Sequence, residues 1–286
     1  MHVPVMLREC LEFLAIQPEE TYLDATAGLG GHTGAIAQKL TSGRVIANDR
    51  DFESLEIARS NTSEWSSRIC YHHGPFSRLD AGLRSCGVDR VQGILADLGV
   101  SRFQLTEPER GFSLMADGPI DMRTDRSQGA PASDLVNFAS EKELADLIYQ
   151  LGEERRSRRI TRAIVRARPI HSTLQLARVI EQAVPRTGKL HPATQTFMAL
   201  RMAVNDELGE LDRFLLSAPD LIKPGGRMVV ITFTSLEDRP VKRRFQELAR
   251  SGRLMLLTKH VVKPTDEEVS RNPPSRGAKL RAAEVK

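Results

Sequence analysis

A carboxylate followed by a glycine cluster is the part of this chain best suited to bind a ligand. Asp24 ends a predicted strand, and glycines follow it closely. They are Gly28, Gly30 and Gly31. Glycines let a ligand lie against the main chain, and a helix predicted over 33–40 would point its free N–H groups at the same ligand. A second predicted strand ends in Asp49, at the distance where nucleotide-binding folds carry the acid that holds a ribose.

The glycine spacing argues against a dinucleotide. The motif G-x-G-x-x-G needs its third glycine where this chain has Thr33. Asp24 would also place negative charge beside a diphosphate, whereas it would attract a ligand with a cationic centre and an amino group. S-adenosylmethionine is such a ligand, and we predict it as the cofactor. The alternative is that the glycines only shape a strand-to-helix turn.

The elements that position these residues alternate between strand and helix. The first predicted strands span 21–27, 44–49, 69–72 and 91–97. With helices such as 52–61 between them, this order predicts a parallel sheet covered by helices on both faces. The next predicted strand, 227–233, follows a helix stop and tight turn at 221–226. About 125 residues separate it from Ser101, just after the strand 91–97, although a crossover needs only about a dozen. We therefore predict an inserted domain, with helices over 133–139, 141–151, 153–167, 173–184 and 193–217.

Composition restricts the function further. With 286 residues, 40% of them hydrophobic, the chain can form one large domain or a domain with an insert. A net charge of +4 favours an anionic partner. Cys10, Cys70 and Cys86 form no C-x-x-C pair, so we expect no metal site and no disulfide framework. No apolar run approaches the roughly 18 residues that span a bilayer, so we expect a cytoplasmic protein without a membrane partner.

Six short motifs occur in one order along the chain. They are Asp24-Ala-Thr-Ala-Gly-Leu-Gly-Gly-His32, Asp97-Leu-Gly-Val-Ser101 with Gln104, Glu109-Arg-Gly-Phe-Ser113, Gly118-Pro-Ile-Asp-Met-Arg123, His191-Pro-Ala-Thr194 and Ser235-Leu-Glu-Asp-Arg239. Together they resemble the RsmH (MraW) family, from His2 to about Glu284. The resemblance implies an S-adenosylmethionine-dependent methyltransferase that modifies N4 of a cytosine in the decoding region of bacterial small-subunit ribosomal RNA. One departure is Thr234, where the family usually has histidine.

The implied fold class is α/β, a Rossmann-like class I methyltransferase sheet with an inserted all-helical domain. We place the cofactor-binding domain at 1–105 and 206–286, and the RNA-recognition domain at 106–205. The implied cofactor residues are Gly30, Gly31, His32, Asp49, Phe76, Asp97 and Gln104. The implied partner is small-subunit ribosomal RNA within the ribosomal subunit. The oligomeric state, a homodimer included, is left open.

Two segments after the strands that flank the insert are candidates for the cytosine pocket. The 118–123 loop contributes Asp121 and Arg123, and the 235–239 segment contributes Ser235 and Asp238. Because both leave the carboxyl ends of neighbouring strands, we expect them to converge on the methyl group. The alternative is a loop that only seals the domain junction.

A basic stripe is predicted on the insert helix over 153–168. Its members, Arg155, Arg159, Arg162 and Arg166, fall within about 60° on a helical wheel of about 100° per residue. Like charges on one stripe repel each other unless an anion is present, which favours contact with RNA phosphates. The alternative is a solvated face paired with acids such as Glu153 and Glu154.

The chemistry of methyl transfer to cytosine depends mainly on positioning. An exocyclic cytosine amine is a poor nucleophile, so holding it about 3–3.5 Å from an activated methyl group should supply much of the rate. Asp97, the candidate catalytic residue, accepts a hydrogen bond either from this amine or from the methionine amino group, and we favour the second. Two other classes stay open: a nicotinamide-dependent oxidoreductase, although no Tyr-x-x-x-Lys pair stands out, and a non-catalytic RNA-binding protein.

Overall fold

The computed structural model describes residues 4–186, 188 and 190–286, so His2 lies outside the described residues. The chain divides into two compact units. The sheet unit comprises 1–99 and 208–286, and the helical unit comprises 100–207. These boundaries lie within six residues of the boundaries at 105/106 and within two of those at 205/206 that the sequence suggested.

The strands of the described residues all belong to the sheet unit. They are β1 (Thr21–Asp24), β2 (Arg44–Asp49), β3 (Ile69–His73), β4 (Val91–Asp97), β5 (Ile222–Thr232), β6 (Leu254–Leu256) and β7 (Lys279–Val285). They form one sheet in the order β3-β2-β1-β4-β5-β7-β6. The first five strands pair in parallel, whereas β7 is antiparallel to both β5 and β6. This is the predicted α/β, Rossmann-like sheet.

Both units contain helices. In chain order they are α1 (Leu7–Leu14), α2 (Gly31–Lys39), α3 (Phe52–Asn61), α4 (Leu79–Ser85), α5 (Arg102–Thr106), α6 (Ala132–Phe138), α7 (Glu141–Gly152), α8 (Ser157–Ala167), α9 (Thr173–Ala183), α10 (Thr194–Val204), α11 (Glu207–Ser217), α12 (Ser235–Arg250) and α13 (Asp266–Arg271). The insert is helical, as predicted. No helix of the described ranges is long and apolar enough to cross a membrane.

The sheet is apolar on both faces because successive residues of its inner strands are hydrophobic and point to opposite faces. Leu23 and Ile46 belong to one core cluster, while Tyr22 and Val45 belong to the other. The register also brings three acids to one edge. Asp24 pairs with Ala47 of β2 and Leu95 of β4, so Asp49 and Asp97 each lie two residues beyond it at the carboxyl ends.

The single helix predicted over 193–217 is wrong. It is two helices, α10 and α11, and Asp206 between them has a φ of 47°. Asn205 is buried, donates hydrogen bonds to the carbonyl oxygens of Met122 and Arg201, and accepts one from the Thr124 N–H. These contacts with the 122–124 segment hold Asn205 at the break, although the hydrophobic spacing continues through it.

Three further predictions are corrected. Strand β5 begins at Ile222 and passes through the predicted turn, with Gly225 at a φ of 78°. Strands β6 and β7 were not predicted. A disulfide joins Cys70 to Cys86, whose Cα atoms lie 6.3 Å apart, contrary to the prediction from cysteine spacing. The pairing arises because α4 returns beside β3, which the spacing does not reveal.

Candidate functional site

The glycine turn after β1 forms a compact start for α2. Gly30 precedes the helix with a φ of 87°, and a Cβ atom there would lie 2.9 Å from Cγ2 of Thr62. The Gly28 N–H donates to Oδ2 of Asp49 over 2.7 Å. The turn therefore needs glycine at position 30 and is tied to the end of β2.

Asp24 stabilises this turn through hydrogen bonds. It is fully buried, and its carboxylate accepts hydrogen bonds from the Thr33 hydroxyl (2.7 Å) and the Thr26 N–H (3.3 Å). Burial raises the pKa of Asp24 to about 6. Because both of its oxygens already accept protein donors, Asp24 shapes the turn and adds negative charge to the edge.

Asp49 occupies the predicted ribose position. Its two oxygens accept the N–H groups of Gly28 (2.7 Å) and Asp51 (2.8 Å), which fix the carboxylate at the carboxyl end of β2. Burial raises the pKa of Asp49 to about 6. A carboxylate has about four lone-pair sites, so two remain for ribose hydroxyl groups.

Asp97 carries the least satisfied acceptor of this edge. Its N–H donates to the Thr26 hydroxyl over 2.7 Å, and its Oδ2 lies 3.7 Å from Nδ1 of His32. Its Oδ1 is buried and has no hydrogen-bond partner among the described residues. Burial, followed by the negative charge of Asp24, raises the pKa of Asp97 well above its usual range. Such a buried acceptor requires a donor, and a cationic donor suits it best.

Burial and a hydrogen bond to Val5 fix the position of His32. It is buried in the first turn of α2, and its Nε2 bonds the carbonyl oxygen of Val5 over 3.0 Å. A carbonyl oxygen only accepts, so Nε2 carries the proton and Nδ1 faces Asp97. Gly31 lies beside it, where a Cβ atom would be 2.7 Å from Cγ of Pro4. Both residues therefore have packing roles besides their predicted contact with the cofactor.

Together these residues fit S-adenosylmethionine. Asp24, Asp49 and Asp97 concentrate negative charge at one edge of the sheet, where burial already disfavours their ionised forms. A ligand with a sulfonium and an ammonium group would offset that charge, and its ammonium would supply the donor that Asp97 Oδ1 requires. The glycines of the turn have no side chain, so the ligand can lie against the main chain between these acids.

The remaining two predicted cofactor residues have other contacts. Phe76 begins a 3-10 turn after β3 and packs edge-to-face on Phe214, with ring centroids 5.4 Å apart. Gln104 belongs to the helical unit, is 4% exposed, and forms a capping box in which its side chain accepts the Ser101 N–H. Their contact with the cofactor stays a prediction.

Asp121, which is buried, and Arg123, which is partly exposed, form an ion pair within the helical unit. The guanidinium binds both carboxylate oxygens at 2.7 and 3.0 Å, and Arg126 approaches the same carboxylate at 3.5 Å. These arginines hold the pKa of Asp121 below its usual range, against the effect of burial. Both members of the pair line a groove of about 720 Å³, whose other walls include Phe138 and His171.

Ser235 and Asp238 lie in the first turn of α12. Thr234 is the N-cap, and its hydroxyl accepts the Glu237 N–H over 3.3 Å. Asp238 binds Arg281 of β7 through both oxygens, at 2.7 and 2.9 Å. Thr234, the departure from the resembled family, thus caps a helix. The convergence of this segment with the 118–123 loop stays a prediction.

The arginine stripe of the insert begins differently from its prediction. Helix α8 starts at Ser157, so Arg155 precedes it; the cause is Glu154, which is buried and bonds the Arg156 side chain at 3.0 Å. All four predicted members are nevertheless exposed: Arg155, Arg159, Arg162 and Arg166. Within the described part of the chain, none of them forms an ion pair with an acid.

Sequence reasoning missed polar residues that assemble this edge. Thr26 links the ends of β1 and β4, and Thr33 holds Asp24. Asn48 is buried and donates to the carbonyl oxygens of Ala25 and Gly74. The only available signal was a polar residue inside or just beyond an apolar strand. Across residues 4–186, 188 and 190–286, no group of three acids, histidines or cysteines is placed to hold a metal.

Comparison with known proteins follows this geometry. The model of the MraW methylase family matches residues 1–286. Ribosomal RNA small subunit methyltransferase H of Solibacter usitatus is 65% identical over 286 residues, with all of both chains covered. The protein of the same name from Acidobacterium capsulatum is 48% identical over 295 residues, covering 100% of this chain and 98% of that one. A solved structure from Clostridium thermocellum, 11% identical with a TM-score of 0.50, covers all of both chains and has the same fold. The chain therefore belongs to the MraW methylase family, and S-adenosylmethionine is its cofactor.

Proposed function

We propose that this chain transfers a methyl group from S-adenosylmethionine to the N4 amino group of a cytidine in the decoding region of small-subunit ribosomal RNA. The names of its relatives, up to 65% identical over the whole chain, support ribosomal RNA as the substrate. The motif resemblance supports the cytidine position. The observation that carries the donor site is Oδ1 of Asp97, which is buried beside the glycine turn and has no hydrogen-bond partner in the part of the chain that the structure describes.

The acids of the sheet edge hold the methyl donor. Asp49 binds the ribose hydroxyls, and Asp97 accepts a hydrogen bond from the methionine ammonium group. Gly30 and Gly31 let the cofactor approach the main chain closely. When bound, S-adenosylmethionine supplies an activated methyl group on a sulfonium. The protein's contribution is then to orient the target amine toward that methyl group and to exclude water.

The helical unit supplies phosphate contacts in this proposal. The side chains are exposed and have no acidic partner among the described residues; they are Arg155, Arg159, Arg162 and Arg166. This favours binding of an anion rather than a surface on which the charges pair with each other. A ribosomal RNA substrate would place the chain in the cytoplasm, and its target would lie within the ribosomal subunit. The target base must leave its stack to be methylated, which a looped RNA makes less costly.

Mass spectrometry of nucleosides tests this function. Small subunits and protein-free RNA from cells lacking the modification are incubated with the chain and isotope-labelled S-adenosylmethionine, then digested. We expect labelled N4-methylcytidine from at least one substrate, and less of it from the Asp97→Asn variant at the same sub-saturating cofactor concentration. Label in 5-methylcytidine or another nucleoside would contradict the N4 assignment. No label in either RNA, from a chain that binds cofactor, would contradict the substrate.

A further inference from the structure

A second basic stripe lies on α12, in the sheet unit. It consists of the exposed side chains Arg239, Lys242, Arg243 and Arg250. With about 100° per residue, they fall at about 0°, 300°, 40° and 20° on a helical wheel. The buried residues Val241, Phe245 and Leu248 fall at about 180–240°, on the face that packs into the sheet core. The stripe is therefore the outward face of α12.

Two of the three acids of α12, Glu237 and Asp238, are engaged away from this stripe, whereas Glu247 lies beside it at about 80° on the wheel. Glu237 is buried and accepts the N–H groups ahead of the helix, and Asp238 binds Arg281. Glu247 pairs with Arg244, which lies at about 140° on the wheel and so outside the stripe. Arg239 donates its Nε–H to the Ser235 carbonyl oxygen over 3.0 Å.

The remaining three cations have no acidic partner. Among the described residues, Lys242, Arg243 and Arg250 form no ion pair. Their mutual repulsion is thus reduced only by solvent and salt, unless an anion binds. On α3, by contrast, Arg59 pairs with Glu56.

The position of the stripe connects it to the cofactor edge. Helix α12 follows directly after β5, and Ile231 of β5 pairs with Asp97 of β4. The stripe therefore starts near the carboxyl ends of the strands. From Arg239 to Arg250 it extends about 16 Å along the helix, at about 1.5 Å per residue. An extended polyanion lying on it would have one end close to the cofactor.

We propose that the α12 stripe binds the phosphates of single-stranded RNA next to the nucleotide that is methylated. This inference rests on the function proposed above and adds a contact surface on the sheet unit itself. Lysine and arginine contacts to phosphates carry no sequence information, so the stripe positions the strand while the base pocket selects the nucleotide.

The double variant Lys242→Gln/Arg243→Gln tests the proposal. Its matched control is Lys39→Gln/Arg44→Gln, which removes the same charges from exposed positions of the sheet unit at the end of α2 and the start of β2. Binding of a single-stranded RNA oligonucleotide with the decoding-region sequence is measured by fluorescence anisotropy at several salt concentrations. S-adenosylmethionine affinity and the thermal midpoint are measured in parallel.

We expect the stripe variant to lose two phosphate contacts. The slope of log affinity against log salt should flatten by about 1.4, and affinity near 0.1 M salt should fall roughly 10- to 30-fold. Cofactor affinity and thermal midpoint should match the parent, and the control should match the parent in every measurement.

The contradicting outcomes are distinguishable. A stripe variant with the affinity and slope of an RNA-binding parent would overturn the stripe alone. A second outcome is a stripe variant that binds and methylates free RNA like the parent but methylates the assembled subunit less. This would show that the stripe contacts an acidic protein surface, and it would overturn the proposed RNA contact of the stripe. A parent that neither binds nor methylates RNA would overturn the proposed function and the stripe with it.

Discussion

Replacing Asp97 with asparagine tests the cofactor site at its least satisfied atom. Asparagine has nearly the same shape and keeps one oxygen acceptor, but it removes the negative charge. In the free protein this charge is disfavoured, because burial and the neighbouring Asp24 raise the pKa of Asp97 well above its usual range. In the complex the same charge would face the ammonium group of S-adenosylmethionine. The substitution therefore acts in opposite directions on the free protein and on the complex.

The magnitudes follow from these two environments. A hydrogen bond to a charged acceptor contributes about 1.5–3 kcal/mol and one to a neutral acceptor about 0.5–1.5 kcal/mol, so the lost difference of about 1–1.5 kcal/mol should lower cofactor affinity roughly 5- to 13-fold. The thermal midpoint of the cofactor-free variant should equal or exceed that of the parent at pH 7, because a buried charge repelled by Asp24 is gone.

Calorimetry of cofactor binding and thermal unfolding measure the two effects separately. Asp80→Asn is the matched control, because Asp80 is a partly exposed acid of the same unit paired with Arg84 at 2.8 Å; its cofactor affinity should equal that of the parent. Unchanged cofactor affinity in Asp97→Asn would refute the assigned ammonium contact. A clear fall in thermal midpoint would show that Asp97 acts mainly in holding the fold.

Three other parts of the structure yield predictions. Asp49→Ala removes the hydrogen bonds from the ribose hydroxyls to the carboxylate, which contribute about 1.5–3 kcal/mol, so cofactor affinity measured by calorimetry should fall at least ten-fold. Unchanged affinity in a folded variant would contradict this. Burial raises the pKa of Asp49 to about 6, so its contribution to stability is complete below about pH 4 and is lost as the pH rises through 6. The free energy of unfolding of the cofactor-free parent, taken relative to that of Asp49→Asn in urea titrations, should thus fall over that interval, and a rise in this difference would refute the burial argument. Replacing Arg159 and Arg162 with glutamine should flatten the salt dependence of RNA binding by up to about 1.4 and leave cofactor affinity unchanged; an unchanged slope would make the α8 stripe a solvated surface. The Cys70–Cys86 disulfide joins residues 16 positions apart in the sequence, so its reduction should lower the free energy of unfolding by about 3 kcal/mol. Urea titrations with and without dithiothreitol measure this difference. Identical curves would show that the loop is held without it.

Much of the sheet could be predicted from local patterns. Strands β2 and β4 and helix α3 begin and end at the predicted residues. Their signals are short range: continuous apolar runs for the buried parallel strands, and for α3 an N-cap aspartate, Asp51, whose carboxylate accepts the N–H groups of Glu53 and Ser54. The helical insert was also predictable, because the gap between β4 and β5 is far longer than a crossover requires.

The errors occurred where distant residues decide the outcome. The helix break at Asp206 depends on the bonds of Asn205 to the 122–124 segment, about 80 residues away in the chain. The sequence of β7 has few strand signals. This strand forms because it pairs antiparallel with β5 and β6. Arg155 lies outside α8 because the preceding residue, Glu154, is buried in a pair with Arg156.

The candidate site divides in the same way. Sequence by itself determined which residue types stand at the strand ends: the glycine turn and the acids Asp24, Asp49 and Asp97, each placed by a short pattern. Only the tertiary structure decided what each carboxylate does. It gives Asp24 and Asp49 protein donors, leaves Oδ1 of Asp97 without one among the described residues, and pairs Asp121 with Arg123. The physical reason is that hydrogen-bond satisfaction and burial depend on neighbours from other strands and loops, whose approach no local pattern specifies.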